Sequence, residues 1–596
     1  MAKKITNINF YNYKAFYSKT ENAYTLNLDD KNLLIYGENG SGKSSIFDGL
    51  KDFFLSSIKE IEFVQNVFSI GSIPQEPFIE VQFSEDAQIY SFSTDEYKTN
   101  TKSFPFIRDV NKVKAFISYK DLLKTHFLTT PLLKINLFPL LFGDGGILSN
   151  ISSSLLKTAK RSEYTFFDFW KEIDNSTIST EMPGTITISP EYNALIDLYE
   201  TAVNKFLDDI KDLTNLYLEY FDKNLFISEI KIEINKTGLV SESEEIGFMK
   251  PRIIPKLKFY NNEIQYYPSF LNEARLTALA LSIYLAAIES NPKNDYQILF
   301  FDDIFIGLDT SNRIPLLNLI KENLLQKYQI VITTYDKYWF ELAKAQLDKN
   351  NWLTAEMYIK EDTANFQPVI IQPSLDYYEL AKKYFDAKDY PACGNYQRKA
   401  FEKLISDFLP SNLTLEQNED GTVNRITKLE TLFDQFRKYV NQCGLDFSPF
   451  ADFGLYKRVV LNPLSHDDIQ SPYFKAELEK SFDILDSLQK IKKTEIVKAG
   501  ESLFITKNDS QGIENKFSLK AKENFYVFKQ GSLKIYSKID FETISKWSNG
   551  VRVDFPSDIT RLELVYKNIC TFLNITPQTD FSNEFYTDQN NYLSNF

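Results

Sequence analysis

An apolar run, Leu33-Leu34-Ile35-Tyr36, leads directly into Gly37-Glu-Asn39-Gly40-Ser-Gly42-Lys43-Ser44-Ser45. It is followed by a segment whose apolar residues Ile46, Leu50 and Phe53 recur at helical spacing. This is GxxxxGK[ST] set between a strand and a helix. Its glycines let backbone N–H groups turn inward around phosphates, and the helix N-terminus adds partial positive charge. Lys43 would reach the β- and γ-phosphates of ATP, and the Ser44 hydroxyl would ligate Mg²⁺. Gly37, Asn39, Gly40, Gly42, Lys43, Ser44 and Ser45 are the candidate nucleotide-binding residues. A plain glycine turn is the alternative, and the complete pattern after a strand argues against it.

A second strand carries the matching chemistry far along the chain. Gln297-Ile-Leu-Phe-Phe-Asp302-Asp303 is continuously apolar until two carboxylates, the pattern of a buried parallel strand. Asp302 is placed to hold Mg²⁺, and Asp303 to orient or deprotonate the attacking water. Gly307-Leu308-Asp309 follows, then a helical stretch (Ile314, Leu317, Ile320) and another apolar strand, Gln329-Ile-Val-Ile-Thr-Thr-Tyr335-Asp336.

With Ser269-Phe-Leu-Asn272-Glu-Ala-Arg275-Leu-Thr-Ala-Leu-Ala ahead of that second strand, residues 1 to about 367 resemble the ABC ATPases of the RecF/SMC type. The order is P-loop, signature, Walker B, D-loop, switch strand. The resemblance implies a head in which ATP and Mg²⁺ are sandwiched between two copies, each site using the P-loop of one and the signature of the other. Homodimers or higher homo-oligomers through the heads are therefore expected. It also assigns Asn272, Arg275, Asp309 and Tyr335 to the nucleotide. Four motifs depart from the family. Asn272 replaces the signature serine, and Arg275 brings a charge. Asp303 stands where a glutamate is usual. Tyr335 replaces the switch histidine. Ala115-Phe-Ile-Ser-Tyr119 aligns loosely with the strand that carries a glutamine, which puts Tyr119 there. These changes suit slow, switch-like turnover.

Between P-loop and signature, residues 77–117 alternate like strands, 190–222 read as a helical arm, and Leu225–Ile234 read as a strand. The arm is too short for a tethering coiled coil. Past Ile371-Gln-Pro373-Ser374 the pattern turns all-helical. Ser374 is a candidate cap for a helix through Tyr377, Leu380 and Tyr384. Asp389-Tyr-Pro391 opens a second helix, and Ile426–Val440 and Phe474–Lys493 complete a four-helix bundle over 371–495. Arg398-Lys-Ala-Phe-Glu402 and Leu461-Asn-Pro-Leu-Ser-His466 make this bundle resemble the HEPN fold, as found in bacterial anticodon nucleases that join it to an ABC ATPase. That resemblance implies Arg398, Glu402 and His466 as a metal-independent ribonuclease site. A proton shuttle on His466 and a fixed cation on Arg398 or Arg458 suit RNA cleavage. The spacing between Arg458 and His466 is one residue longer than the wider HEPN pattern. The competing reading is an ordinary i,i+4 surface pair, Arg398 with Glu402, and a His466 that serves its own turn. Arg437, Lys438, Lys457, Lys490, Lys492 and Lys493 are the candidate RNA track, or simply a solvated face.

Residues 496–596 read as a small α/β domain with no motif. The chain of 596 residues carries a net charge of −14, so a generally basic nucleic-acid coat is excluded. Three separated cysteines and two histidines exclude a zinc ribbon and histidine-rich metal chemistry. No apolar run reaches membrane length, so the expectation is a cytoplasmic protein that does not engage a membrane. Together these point to an ABC ATPase gating a HEPN ribonuclease. The family resemblance adds tRNA as substrate, anti-phage defence as setting and, as a possible partner, a separate defence-system protein. Two rivals stand beside it. One is an ATPase sensor whose bundle docks a separate nuclease or effector. The other, weaker for an acidic chain without long arms, is a RecF-like DNA-repair ATPase.

Overall fold

A computed structural model describes residues 3–71, 75–113, 115–126, 136–143, 146–149, 151, 153–156, 164–175, 190–234, 251–265, 270–290, 296–308, 310–360, 369–417, 423–457, 461, 475–531, 533–538, 541–548, 551–555, 561–588 and 591–596. The chain forms two compact units, Met1–Ser374 and Leu375–Phe596.

In the first unit the strands are β1 (Ile5–Tyr11), β2 (Tyr24–Asn27), β3 (Asn32–Gly37), β4 (Phe78–Phe83), β5 (Ile89–Ser93), β6 (Ala115–Ser118) and β7 (Leu225–Glu233). They continue with β8 (Arg252–Phe259), β9 (Asn262–Ile264), β10 (Ile298–Asp302), β11 (Gln329–Thr334), β12 (Trp352–Ile359) and β13 (Val369–Pro373). The central sheet runs β13-β12-β3-β11-β10-β6, parallel throughout except at β13. β3, β10 and β11 are buried on both faces, which is why they read as unbroken apolar runs. Their residues alternate between two cores. Leu33, Ile35, Phe300 and Val331 face one, with Ile46 and Phe47 of the helix Lys43–Leu55. Leu34, Phe301, Ile330 and Ile332 face the other, with the helices Pro190–Leu218 and Glu273–Glu289. A separate antiparallel sheet, β2-β1-β4-β5, lies on the first core, and β7-β8-β9 form a third.

Two readings of this region need correction. Residues 77–117 are not all strand, because Pro105–Val113 is a helix between β5 and β6. Pro105 at its first turn fits a helix start. Ser374 caps no helix. Its hydroxyl donates to Glu356 Oε1 (2.6 Å), and the cap is Asp376, in a reciprocal capping box with Glu379. The arm appears as the helix Pro190–Leu218, followed by strand β7.

In the second unit four helices, Tyr377–Asp386, Tyr390–Phe408, Leu429–Cys443 and Lys475–Lys490, share one core built on Phe401, Ile405, Phe436, Val440 and Leu485. The fourth stops at Lys490, not Lys493, because Lys492–Val497 is a strand paired antiparallel with Phe525–Gln530. A short antiparallel hairpin joins Leu415–Gln417 to Val423–Arg425, and the remainder places two further antiparallel sheets and the helix Leu562–Phe572 around a second core. It holds more strands than the sequence pattern revealed: Glu514–Ala521, Phe541–Ser548, Val551–Phe555 and Phe585–Thr587 add to the expected ones.

Candidate nucleotide site

The strand register builds the site. Ser118 of β6, Asp302 of β10, Thr333 of β11 and Ile35 of β3 stand in one row across four neighbouring strands. One residue further are Tyr119, Asp303, Thr334 and Tyr36, so the sheet's own hydrogen bonds align the chemistry at its carboxyl edge. Ligands of open parallel sheets bind at that edge.

From β3 the chain turns through Gly37–Gly42 into its helix. Gly40 and Gly42 have φ of 84° and 98°, a region that favours glycine. A Cβ on Gly37 would run into Ser41 Oγ and the Lys43 stem, which would have to shift to admit it. Ser41 Oγ is itself buried without a hydrogen-bond partner among the described residues. Lys43 is 5% exposed. Its ammonium folds back over the loop, donating to Gly37 O (2.7 Å) and Glu38 O (3.2 Å), and lies 3.8 Å from Asp303 Oδ2. Burial pushes its pKa down, and Asp303 and then Asp302 oppose that.

Asp302 is the best-held carboxylate. Its Oδ1 accepts from Thr333 Oγ1 (2.6 Å) and its Oδ2 from Ser44 Oγ (3.1 Å). Burial raises its pKa, while the Thr333 and Ser44 hydroxyls and Lys43 lower it. Asp303 turns the chain at φ 52°, a conformation Asp tolerates better than most residues. Its Oδ1 accepts from the Tyr335 backbone N–H (3.0 Å). Burial raises this carboxyl as well, Lys43 lowers it, and Asp302 raises it again. Two neighbouring carboxyls, both raised by burial, thus stand side by side at the sheet's carboxyl edge beside the glycine loop.

Several expected residues also have local contacts. Asn39 and Gly40 are exposed at the loop, and Ser45 Oγ accepts from Ala15 N (3.4 Å). Asn272 caps the helix Glu273–Glu289, its Oδ1 accepting from Arg275 N (3.0 Å). Arg275 pairs with Asp222 (2.8 Å) and lies 4.8 Å above the Phe259 ring, so its charge is engaged within its own unit. Tyr335 is half-exposed at the end of β11, and Tyr119 OH donates to Glu273 Oε1 (3.2 Å). Asp309 and Ser269 lie outside the described residues.

Two residues that hold the site's groups in place carried no motif. Thr333 is one of an ordinary Thr-Thr pair, and only its register opposite Asp302 reveals it. Arg313 donates to Leu308 O (2.8 Å), Phe305 O (3.2 Å) and the Asp336 carboxylate, tying the segment after Asp303 to the one after Tyr335. In the second unit Arg398 Nε meets Glu402 Oε1 at 3.1 Å, both half-buried. Arg458 and His466 lie outside the described residues, as does the Asn462-Pro463 break. Lys493 is not part of a surface track. It is half-buried, donating to Phe408 O (2.8 Å) and Asp407 O (3.3 Å) at the end of a helix, 4.1 Å from the Tyr526 ring centre.

No family model matches the chain, and no curated protein matches it. Among solved structures it is similar to SMC heads. One is an SMC head bound to the C-terminal winged-helix domain of ScpA (12% identity, TM-score 0.34, covering 62% of this chain and 98% of that one). Another is an SMC head with an extended coiled coil, bound to the C-terminal domain of ScpA from Pyrococcus furiosus (14%, 0.35, 65% and 100%). A third is the SMC head domain of Thermotoga maritima (13%, 0.31, 62% and 99%). Among the described residues no helix is long and apolar enough to cross a membrane.

Proposed function

We propose that the first unit is an ABC-type ATPase that binds ATP with Mg²⁺ and hydrolyses it. The observation that carries this reading is the joint placement of Lys43 inside the glycine loop and Ser44 against Asp302. The residues suit the ligand: a Cβ at Gly37 would displace Ser41 and the Lys43 stem, and Ser41 Oγ is left with an unused polar atom. A hydroxyl beside a carboxylate is the oxygen donor set Mg²⁺ takes. Ser44 and Asp302 would hold that ion, which neutralises phosphate charge when bound. Lys43 supplies a fixed ammonium, and Asp303 accepts the proton of the attacking water. Lys43→Ala should abolish nucleotide binding measured by calorimetry. Retained binding would remove the basis of the reading.

For the second unit the proposal is an RNA-cleaving effector of the HEPN kind, acting on tRNA under control of the ATPase state, with phage defence as its setting. Arg398 and Glu402 would be its cation and its acid/base partner, with His466 as proton shuttle. The support is their pairing on one helix of a four-helix bundle together with the sequence resemblance. The rival, a bundle that docks a separate effector, differs in one result. Expression of the intact chain beside His466→Ala, with total RNA analysed for new 3′ ends, yields cleavage only under the nuclease reading.

A further inference from the structure

A cavity of about 270 Å³ opens in the second unit beside the helix Leu429–Cys443. Glu430, Phe433, Asp434 and Arg437 line it from one face of that helix, as three- and four-residue spacing dictates, and Phe453 and Lys457 line it from the segment that follows. Each of its two cations is paired with a carboxylate of that helix, and one of the pairs is unequally buried. The Lys457 side chain is only 9% exposed, yet its partner at 3.0 Å, Glu430, is 76% exposed. Arg437 pairs at 3.1 Å with Asp434, and both are about half exposed. A buried ammonium needs a counter-charge, and a carboxylate that stays mostly in water is a weak one. Phe433 and Phe453 stack at 4.0 Å and give the cavity an apolar wall.

We propose that this cavity is a phosphate-binding site for a nucleotide, in which Lys457 and Arg437 take the phosphate and Glu430 and Asp434 swing aside. Phosphate carries more charge than a carboxylate and at least one more acceptor oxygen, which lets an ammonium and a guanidinium fork share it. The volume falls just under the roughly 300 Å³ at which whole small-molecule sites begin, so it takes the phosphate and sugar of a nucleotide and leaves the base outside. The phosphate can belong to a free nucleotide or to an RNA strand. The net charge of −14 disfavours indiscriminate polyanion binding elsewhere on the chain. The site stands independently of whether the second unit cuts RNA.

The test uses the full chain in a Lys43→Ala background, so that phosphate at the first unit does not contribute. Three probes are titrated: inorganic phosphate, uridine monophosphate and a short fluorescent oligouridylate. Lys457→Gln should weaken binding roughly tenfold, the worth of one charge-assisted contact. Arg437→Gln, exposed and unable to unfold the bundle, should weaken it about threefold. It should also flatten the salt dependence of the oligonucleotide by about 0.7 in log–log slope. Glu430→Gln should tighten binding, an outcome no loss of structure produces. Response of the monophosphate assigns a free nucleotide, and response of the oligonucleotide alone assigns a strand. Binding that is identical in all three variants, or absent for every probe in the parent, overturns the proposal.

Discussion

Replacing Asp303 by Asn separates three properties that the site otherwise binds together. The change is nearly isosteric. Asn tolerates the φ of 52° at this turn, and its amide oxygen can still accept from Tyr335 N. What disappears is the negative charge 3.8 Å from Lys43 Nζ. At an effective dielectric of 20 that attraction is about 4 kcal/mol gross. The desolvation of two buried ions opposes it with a similar magnitude, and Lys43 keeps its two carbonyl partners. The sign of the proton linkage points the same way. Burial raises the Asp303 carboxyl above its unfolded value, so its contribution favours the fold at low pH and turns against it as pH rises through the folded pKa. Removing the group therefore relieves a penalty at neutral and alkaline pH while removing a partner of Lys43. The net effect on stability should stay within about 1 kcal/mol, or roughly 1–2 °C in Tm for a unit of this size. Nucleotide affinity should rise about tenfold, because Asp303 no longer competes with phosphate for Lys43, a change of about 1.4 kcal/mol. Hydrolysis should fall by about 10²–10⁴, the usual worth of a general base. The assays are calorimetric binding of ATP with Mg²⁺, phosphate release, and thermal unfolding at pH 5 and pH 8. Wild-type hydrolysis, or loss of binding in parallel with hydrolysis, refutes the role given to Asp303.

Thr333→Val removes the hydroxyl that donates to Asp302 at 2.6 Å while keeping the shape. The Asp302 carboxyl should rise further, and the acid limb of Mg²⁺-dependent hydrolysis should move up by about one pH unit, since a hydrogen bond to a charged group is worth roughly 1.5–3 kcal/mol. A pH–rate profile at sub-saturating Mg²⁺ reads it. Gly37→Ala should weaken nucleotide binding at least tenfold with little change in Tm, because its Cβ displaces Ser41 and the Lys43 stem without touching either core. Calorimetry and thermal melts check both halves. Lys493→Ala should lower stability by about 1 kcal/mol through loss of its helix-end contacts, without altering RNA or nucleotide binding.

What the sequence disclosed follows from locality. The loop Gly37–Ser44 needs its glycines, its lysine and its hydroxyl within one turn of chain, so strand, loop and helix could all be read in place. Asp302 and Asp303 were legible because a doubly buried strand has a distinctive apolar run that ends where solvent and ligand begin. Thr333 was not legible, since its meaning lies in a neighbour on another strand. Nor was the pairing of Tyr119 with Glu273, 154 residues apart. Arg275 was read as a charge for a phosphate, and the Asp222 that engages it was invisible from the motif. Lys493 looked like one of a surface run because charge patterns along a sequence do not say which lysine meets a helix end. The helix Pro105–Val113 was missed for a related reason: short apolar stretches satisfy strand and helix periods alike.

The position of β3 in its sheet has a consequence in time. Its neighbours on the two sides are β11 and β12, so the strand that feeds the glycine loop has no partner from its own half of the unit. Asn32, at its start, meets Ile330 across 298 residues of chain. At the roughly 5–20 residues per second of synthesis, that gap lasts on the order of 15–60 s. Throughout it the emerging protein carries Leu33, Leu34 and Ile35 with both edges unpaired, and no fragment ending before β10 possesses the Asp302 that completes the site. Under the proposed function, nucleotide would report on a finished first unit rather than nucleate it, and the slow, long-range closure of this sheet is the stage at which a chaperone has the most to protect.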